Sequence, residues 1–289
     1  MYLLNSLPLS NSEMPGMRSF CSMKSLFKAV LSAACLLAVE SWAQTTAWEE
    51  ARYFDVVVGG SLRNESNLFK LPTAQSDTIG TGSIGLIVER SYAMQRIQFD
   101  ITQRETKYDK NSQLDFRGLN YNGTWFWQFG SRLSGTLVAD RVENQVPFQS
   151  TFGNTQRNVQ ITENYALHMD GWVTGGWNFI ADIAQSDQKS QQTVQIQPDF
   201  RSTSYGAGVK YLTPSGNSLS AVRRTVNGEY RNPSGAPVND SDYREDQSEL
   251  TAVWKLGGNS ALNGRWAWLD RDNNNPALRD FSGPSTDVG

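Results

Sequence analysis

The sequence is poor in the residues that most soluble enzymes use for chemistry. Histidine occurs once, at His168, and cysteine twice, at Cys21 and Cys35, both close to the N-terminus. No G-x-S-x-G elbow accompanies His168, so a hydrolase triad would rest on that residue alone. A strong basic excess is also missing: the formal net charge is −3. That argues against nucleic acid as a partner. Long apolar runs are missing too. The longest, Ala29 to Val39, has 11 residues, well below the roughly 20 that cross a bilayer as a helix. No later segment has a sustained helical repeat.

That apolar run has the features of a secretory leader. Met23-Lys24-Ser25-Leu26-Phe27-Lys28 is a basic n-region, Ala29 to Val39 an h-region, and Ser41-Trp42-Ala43 a small-residue cleavage site. The expected mature chain starts at Gln44, which leaves residues 1–43 as extension and signal peptide and residues 44–289 as one domain. Both cysteines fall in the part expected to be removed. A lipoprotein site at Cys35 is the weaker reading, because Leu is absent three residues before it and cleavage there would halve the h-region.

What is present is a rhythm. From Phe54 onward, segments of period-two alternation follow one another. Ile97, Phe99 and Ile101 alternate with Gln98, Asp100 and Thr102. Leu119, Tyr121, Gly123, Trp125 and Trp127 alternate with Asn120, Asn122, Thr124 and Gln128, broken only by Phe126. Later, Trp177, Phe179, Ala181 and Ile183 oppose Asn178 and Asp182, and Tyr205, Ala207, Val209 and Tyr211 oppose Ser204, Gly206, Gly208 and Lys210. Leu250, Ala252 and Trp254 oppose Glu249, Thr251 and Lys255, and Leu262, Trp266 and Trp268 oppose Asn263 and Arg265. Aromatics gather near the segment ends, where interfacial girdles lie in membrane barrels.

The connections alternate in length. Short ones fall near Arg90 to Gln95, Phe129 to Ser131, Val173 to Gly175, Thr213 to Asn217 and Leu256 to Asn259. Long ones fall near Asn64 to Ser76, Asn144 to Arg157, Asp187 to Phe200, Glu229 to Arg244 and Arg271 to Asp280. One connection, Asp109 to Gln113, is ambiguous. Tight turns at one end and long loops at the other are the pattern of an outer-membrane barrel. The predicted fold class is therefore all-β, an antiparallel up-and-down transmembrane barrel of outer-membrane type. A soluble β-sandwich, whose strands also alternate, is the alternative. The pattern predicts eleven strands and the start of a twelfth near Asp287. Single-chain bacterial barrels close with an even number of strands, so the expectation is a C-terminally truncated barrel.

Parity assigns the apolar members to lipid and the polar members to a lumen. The candidate lumen-lining residues are Gln98, Asp100, Asn120, Asn122, Arg132, Asp140, Asp182, Lys210, Lys255 and Arg265. Their amides, carboxylates and guanidinium groups can exchange hydrogen bonds with sugar hydroxyls. No catalytic residue, cofactor site or metal site is expected. Gly80-Thr81-Gly82-Ser83-Ile84-Gly85 matches a dinucleotide fingerprint, but strand-like residues follow it where a helix is required. Asp270, Asp272 and Asn274 begin a calcium-loop spacing whose later positions, Asn275 and Phe281, depart from it, so a solvated external loop is expected there. Arg223, Arg224 and Arg231 form a basic cluster that could meet lipopolysaccharide phosphates or simply be solvated.

Several motifs occur together in one order: Asn67 to Pro72, Asn154 to Val159, Pro198-Asp199-Phe200 with Ser202 to Ser204, Tyr211 to Ser218, and Leu269-Asp270-Arg271 followed by Arg279 to Gly283. In these the chain, over roughly residues 50–283, resembles the EpsL family of outer-membrane β-barrels, associated with exopolysaccharide biosynthesis operons and the exosortase/PEP-CTERM system of Gram-negative bacteria. The resemblance implies a role in polysaccharide production or export at the outer membrane. The implied partners are membrane lipid and lipopolysaccharide, with polysaccharide and periplasmic export proteins. Three function classes follow: a conduit or accessory barrel for export, a non-conducting barrel that docks partners or anchors polymer, and, least favoured, an outer-membrane enzyme.

Overall fold

A computed structural model describes residues 54–148, 155–191, 199–231, 242–257, 260–275 and 278–288. The expected leader, its cleavage site at Ala43, Cys21 and Cys35 lie outside the described residues, as do Asn154 and Pro198. Twelve strands follow one another: β1 (Phe54–Glu65), β2 (Asp77–Tyr92), β3 (Gln95–Tyr108), β4 (Phe116–Phe129), β5 (Leu133–Gln145), β6 (Val159–Thr174), β7 (Trp177–Ser190), β8 (Asp199–Leu212), β9 (Ser218–Arg231), β10 (Tyr243–Gly257), β11 (Ser260–Asn273) and β12 (Phe281–Val288). Each pairs antiparallel with its sequence neighbours in one meander. The chain thus has the all-β up-and-down arrangement of the barrel class. Among the described residues, β1 and β12 are each paired on one side only.

The twelfth strand is a correction to the sequence reading. It starts at Phe281 and runs for 8 residues, where a start near Asp287 was expected. Ser282, Gly283, Pro284 and Ser285 hide its alternation, and a proline that cannot donate to the ladder argues against a strand in sequence reading. Phe281 nevertheless pairs with Arg271, and Pro284 with Trp268. A second correction concerns Asp270 and Asp272, which lie on β11 itself and not in a loop. The ambiguous connection is settled as well. Residues 109–115, with a single 3-10 turn at Ser112–Leu114, lie at the long-loop end. The alternation of short and long connections is therefore unbroken.

Short turns close the other end. Gly130, Gly175 and Gly216 take positive φ there, at 61°, 57° and 83°, a region that costs a side chain with a Cβ. Two ladder irregularities, at Trp172/Thr174 and Lys255/Gly257, sit beside these turns. A different break opens at the long-loop end. The β4–β5 ladder stops at Tyr121 and Arg141, and side chains replace the missing bonds above it. The Glu143 carboxylate accepts from the Leu119 N–H at 2.6 Å, and the Asn120 amide oxygen accepts from the Glu143 N–H at 2.8 Å.

Register determines which side chains share a face. One face carries Val58, Leu62, Ile84, Phe179, Val209, Leu250, Trp254 and Trp266. These are open to the surroundings, with Leu62 83 % and Trp254 59 % exposed, and no element among the described residues covers them. Toward the long loops the same face becomes charged. Arg117 pairs with Glu105 at 3.2 Å, Arg141 with Glu163 at 3.2 Å and Arg201 with Asp187 at 2.5 Å. Most strands have 12 to 16 residues, and about 9–11 tilted residues suffice to cross a bilayer, which leaves length for this charged belt beyond the apolar band.

Four glycines explain how the faces close up. Gly123, Gly135, Gly171 and Gly228 lie directly opposite Phe99, Trp127, Phe179 and Tyr243 on neighbouring strands. At Gly171 an added Cβ would come within 1.8 Å of the Phe179 ring, and at Gly135 within 2.4 Å of Trp127. The aromatic rings lie across the space that a side chain would fill.

Candidate functional site

Nine of the ten candidates lie on strands and share the other face, as register requires; Arg132 lies in the β4–β5 turn. Asp100, Asn122, Asp140, Asn164, Ser186 and Ser202 form one continuous row from β3 to β8. Within it Asn164 donates to Asp140 at 2.9 Å and Ser186 donates to Asn164 at 2.6 Å. Asp100 accepts from the Thr102 hydroxyl at 3.2 Å, and Gln98 donates to Glu89 at 3.0 Å. Asn120 is engaged in the β4–β5 seam.

The remaining candidates gather into separate charged groups. Asp182 meets the His168 Nδ1 at 2.6 Å and stands 3.9 Å from Arg224 on β9. Lys210 pairs with Asp170 across the intervening β7. Arg132, in the β4–β5 turn, stacks on Trp172 at 4.8 Å, and Arg265 holds Glu249 at 2.7 Å. Lys255 is exposed near the β8–β9 turn, its backbone N–H donating to Asn217 at 2.8 Å. The ten are spread over the face and do not converge on one centre. Arg223 and Arg224 are neighbours in sequence but lie on opposite faces. Arg223 faces the apolar side with Asp246 at 3.5 Å, and Arg231 pairs with Glu229. Strand alternation therefore splits the basic cluster expected from sequence.

The face is concave at its long-loop end, where β1 and residues 144–148 wall a hollow of about 760 Å³. Its floor comes from β2 and β3, and the β1–β2 loop closes one side. That loop turns inward because Asn67 organises it. The Asn67 side chain donates to the Leu71 carbonyl at 2.8 Å and accepts from the Leu71 N–H at 3.2 Å. Leu68 and Phe69 are then buried with Ile79, Tyr108 and Leu114, and Phe69 meets Phe148 edge-on with centroids 5.0 Å apart.

Asp77 anchors this end from below. It is 1 % exposed, yet it accepts four hydrogen bonds: from the N–H groups of Thr78, Lys110 and Asn111 at 2.7, 3.0 and 3.1 Å, and from the Asn111 amide at 2.7 Å. A buried carboxylate so saturated is tolerated where an unpaired one would not be. Beside it, Asp115 accepts from the Tyr108 N–H at 2.9 Å, which with the Lys107 ammonium holds its pKa below the ordinary 3.8.

Sequence reading missed the wall of the hollow. Tyr108 donates its hydroxyl to Gln145 Oε1 at 2.9 Å, a contact that skips β4. Arg104 has the same parity as Gln98 and Asp100 and was legible on that ground. Gln145 was not, because its approach to Tyr108 depends on the β4–β5 seam. Among the described residues no cluster of three or more metal-ligating side chains occurs.

No protein-family model and no curated protein matches the sequence. Among solved structures the chain is similar to the β domain of the Bordetella autotransporter Brka. The identity there is 11 % and the TM-score 0.31, over 82 % of this chain and 97 % of that one. It is also similar to Pseudomonas aeruginosa OccK5 (OpdH), with 10 % identity and a TM-score of 0.23 over 81 % of this chain and 97 % of that one.

Proposed function

We propose that the chain is an outer-membrane β-barrel that takes part in exopolysaccharide biosynthesis or export, as conduit or accessory component. The observation that carries the membrane reading is the pairing of two faces on one meander. One is apolar and uncovered by the described residues; the other is polar, with one row continuous in register from β3 to β8 and separate charged groups beside it. In water the first would be a large exposed apolar patch; in a bilayer it is the surface that lipid requires, while the polar members face a wet interior. Tight turns at one end and long loops at the other orient the long loops outward. Membrane lipid and lipopolysaccharide are then the immediate partners, and nucleic acid is not one.

The polysaccharide role rests on the motif resemblance and on the polar face, whose amides, hydroxyls and paired charges suit sugar hydroxyls. The role assigned here is binding and passage, carried by groups spread over the face. A non-conducting barrel that docks export partners is favoured by one observation: the β1–β2 loop turns in over the polar face and buries Leu68 and Phe69 there.

Gel mobility of boiled and unboiled protein from purified outer membranes tests the location. A heat-dependent shift in that fraction supports the barrel, and a soluble periplasmic product contradicts it. Single-channel recording then separates conduit from plugged barrel, and loss of surface polymer on deletion of the gene tests the polysaccharide role.

A further inference from the structure

We infer that the hollow at the long-loop end is a binding site for an acidic saccharide unit, a pyranose that carries a carboxylate. The inference deepens the export reading above and rests on it for its biological setting.

Three cations, Arg63, Lys70 and Arg104, line the hollow against one carboxylate, Glu65. Lys70 is 2.8 Å and Arg63 3.9 Å from that carboxylate, so Glu65 is shared between them. Arg104 is half-buried on the floor, and among the described residues no carboxylate or hydrogen-bond acceptor engages its guanidinium. The second orphan is Gln145. Its Oε1 accepts from Tyr108, whereas its Nε2 is buried with no partner among the described residues. A buried amide donor without an acceptor is unfavourable, so an acceptor supplied by a ligand is favoured here.

Both unsatisfied groups are donors, and the charge surplus is positive in a chain whose net charge is negative. The missing partner is therefore an anion with several acceptor oxygens. A guanidinium matches a carboxylate through two parallel hydrogen bonds. The rest of the wall selects a sugar over a bare anion. Tyr108, Phe116 and Phe148 supply ring surface, and Asn144 supplies both an amide donor and an acceptor for hydroxyls. The volume lies within the roughly 300–1,000 Å³ of ordinary ligand sites. The location fits as well: at the long-loop end, this is where a polymer would enter or leave a lumen.

The test is calorimetric titration of the full chain, folded in detergent, with a hexuronate tetrasaccharide, a neutral glucose tetrasaccharide and inorganic phosphate. The inference predicts measurable hexuronate binding that weakens with salt, at least 10-fold weaker binding of the neutral sugar, and phosphate that fails to compete at equal concentration. Arg104→Gln should weaken hexuronate binding about 10-fold or more and Arg104→Lys less, with the heat-modifiable gel shift of both unchanged. If Arg104→Gln does not fold, Gln145→Glu is the second variant: a carboxylate in place of the orphan donor should also weaken binding 10-fold. Absence of hexuronate binding, equal binding of the neutral sugar, displacement by phosphate, or a folded Arg104→Gln that binds as wild type each overturns the inference. None of these touches the export reading, which fails separately if the gene-deletion strain keeps its surface polymer.

Discussion

The Asn111 side chain donates to Asp77 Oδ2 at 2.7 Å, and its backbone N–H donates to the same oxygen at 3.1 Å. Through this pair the β3–β4 loop is tied to the first residue of β2, beneath the inward-turned β1–β2 loop. Replacing Asp77 with alanine leaves the N–H groups of Lys110 and Asn111 without their acceptor. The expected cost is about 1–3 kcal/mol. It should be local, so hydrogen exchange at those two amides should quicken while exchange in the strand ladders stays unchanged.

Acid should loosen the same region through Asp115. Its folded pKa is lowered first by the Tyr108 N–H that it accepts and then by Lys107. A depressed carboxylate pKa contributes stability that is complete above the unfolded value and disappears as pH falls through the folded one. The melting temperature of wild type should therefore exceed that of Asp115→Asn above the ordinary value of 3.8. The gap should close as pH falls below it, and a gap that widens in acid would have the wrong sign.

Glycine substitutions separate packing from flexibility. Gly171→Ala would drive a Cβ to within 1.8 Å of the Phe179 ring, whereas at Gly82 nothing lies within 4 Å. Gly171→Ala should cost about 1–3 kcal/mol through overpacking. Gly82→Ala should be neutral or stabilise by about 0.5 kcal/mol, because it removes the excess flexibility of glycine from a strand. Denaturant midpoints for the two variants settle the comparison, and equal effects would remove the aromatic-over-glycine account.

Glu143 closes the open β4–β5 seam. It accepts from Leu119 at 2.6 Å and also pairs with Arg141. Glu143→Ala should destabilise by about 2–3 kcal/mol, as loss of a hydrogen bond to a charged group does. It should also expose the Leu119 amide to exchange. Glu143→Gln, which keeps the side-chain length, should be the milder change, since its amide oxygen can still accept from Leu119.

The strands were legible because one residue in two had to be apolar, and runs such as Tyr205 to Tyr211 keep that rule along their length. Phe126 broke the rule for a visible reason: on the polar face it carries the Arg96 guanidinium over its ring at 4.4 Å. β12 was masked by Pro284 and small residues. The splitting of Arg223 from Arg224 was available from parity alone. The hollow was not, since Tyr108 and Gln145 lie 37 residues apart and meet only because the ladder between them opens. Likewise nothing in the spacing of Gly135 or Gly171 reveals which aromatic will lie across it from the next strand.

The face assignment is tested most directly at Val209 and Lys210, adjacent residues of β8 on opposite faces. With Cys21 and Cys35 replaced by serine, Val209→Cys and Lys210→Cys are each labelled with an environment-sensitive fluorophore in outer-membrane vesicles. A lipid-soluble nitroxide should quench the label at 209 and spare the one at 210, while aqueous iodide should do the reverse. Quenching of both labels by iodide alone would take the apolar face out of the bilayer and contradict the account.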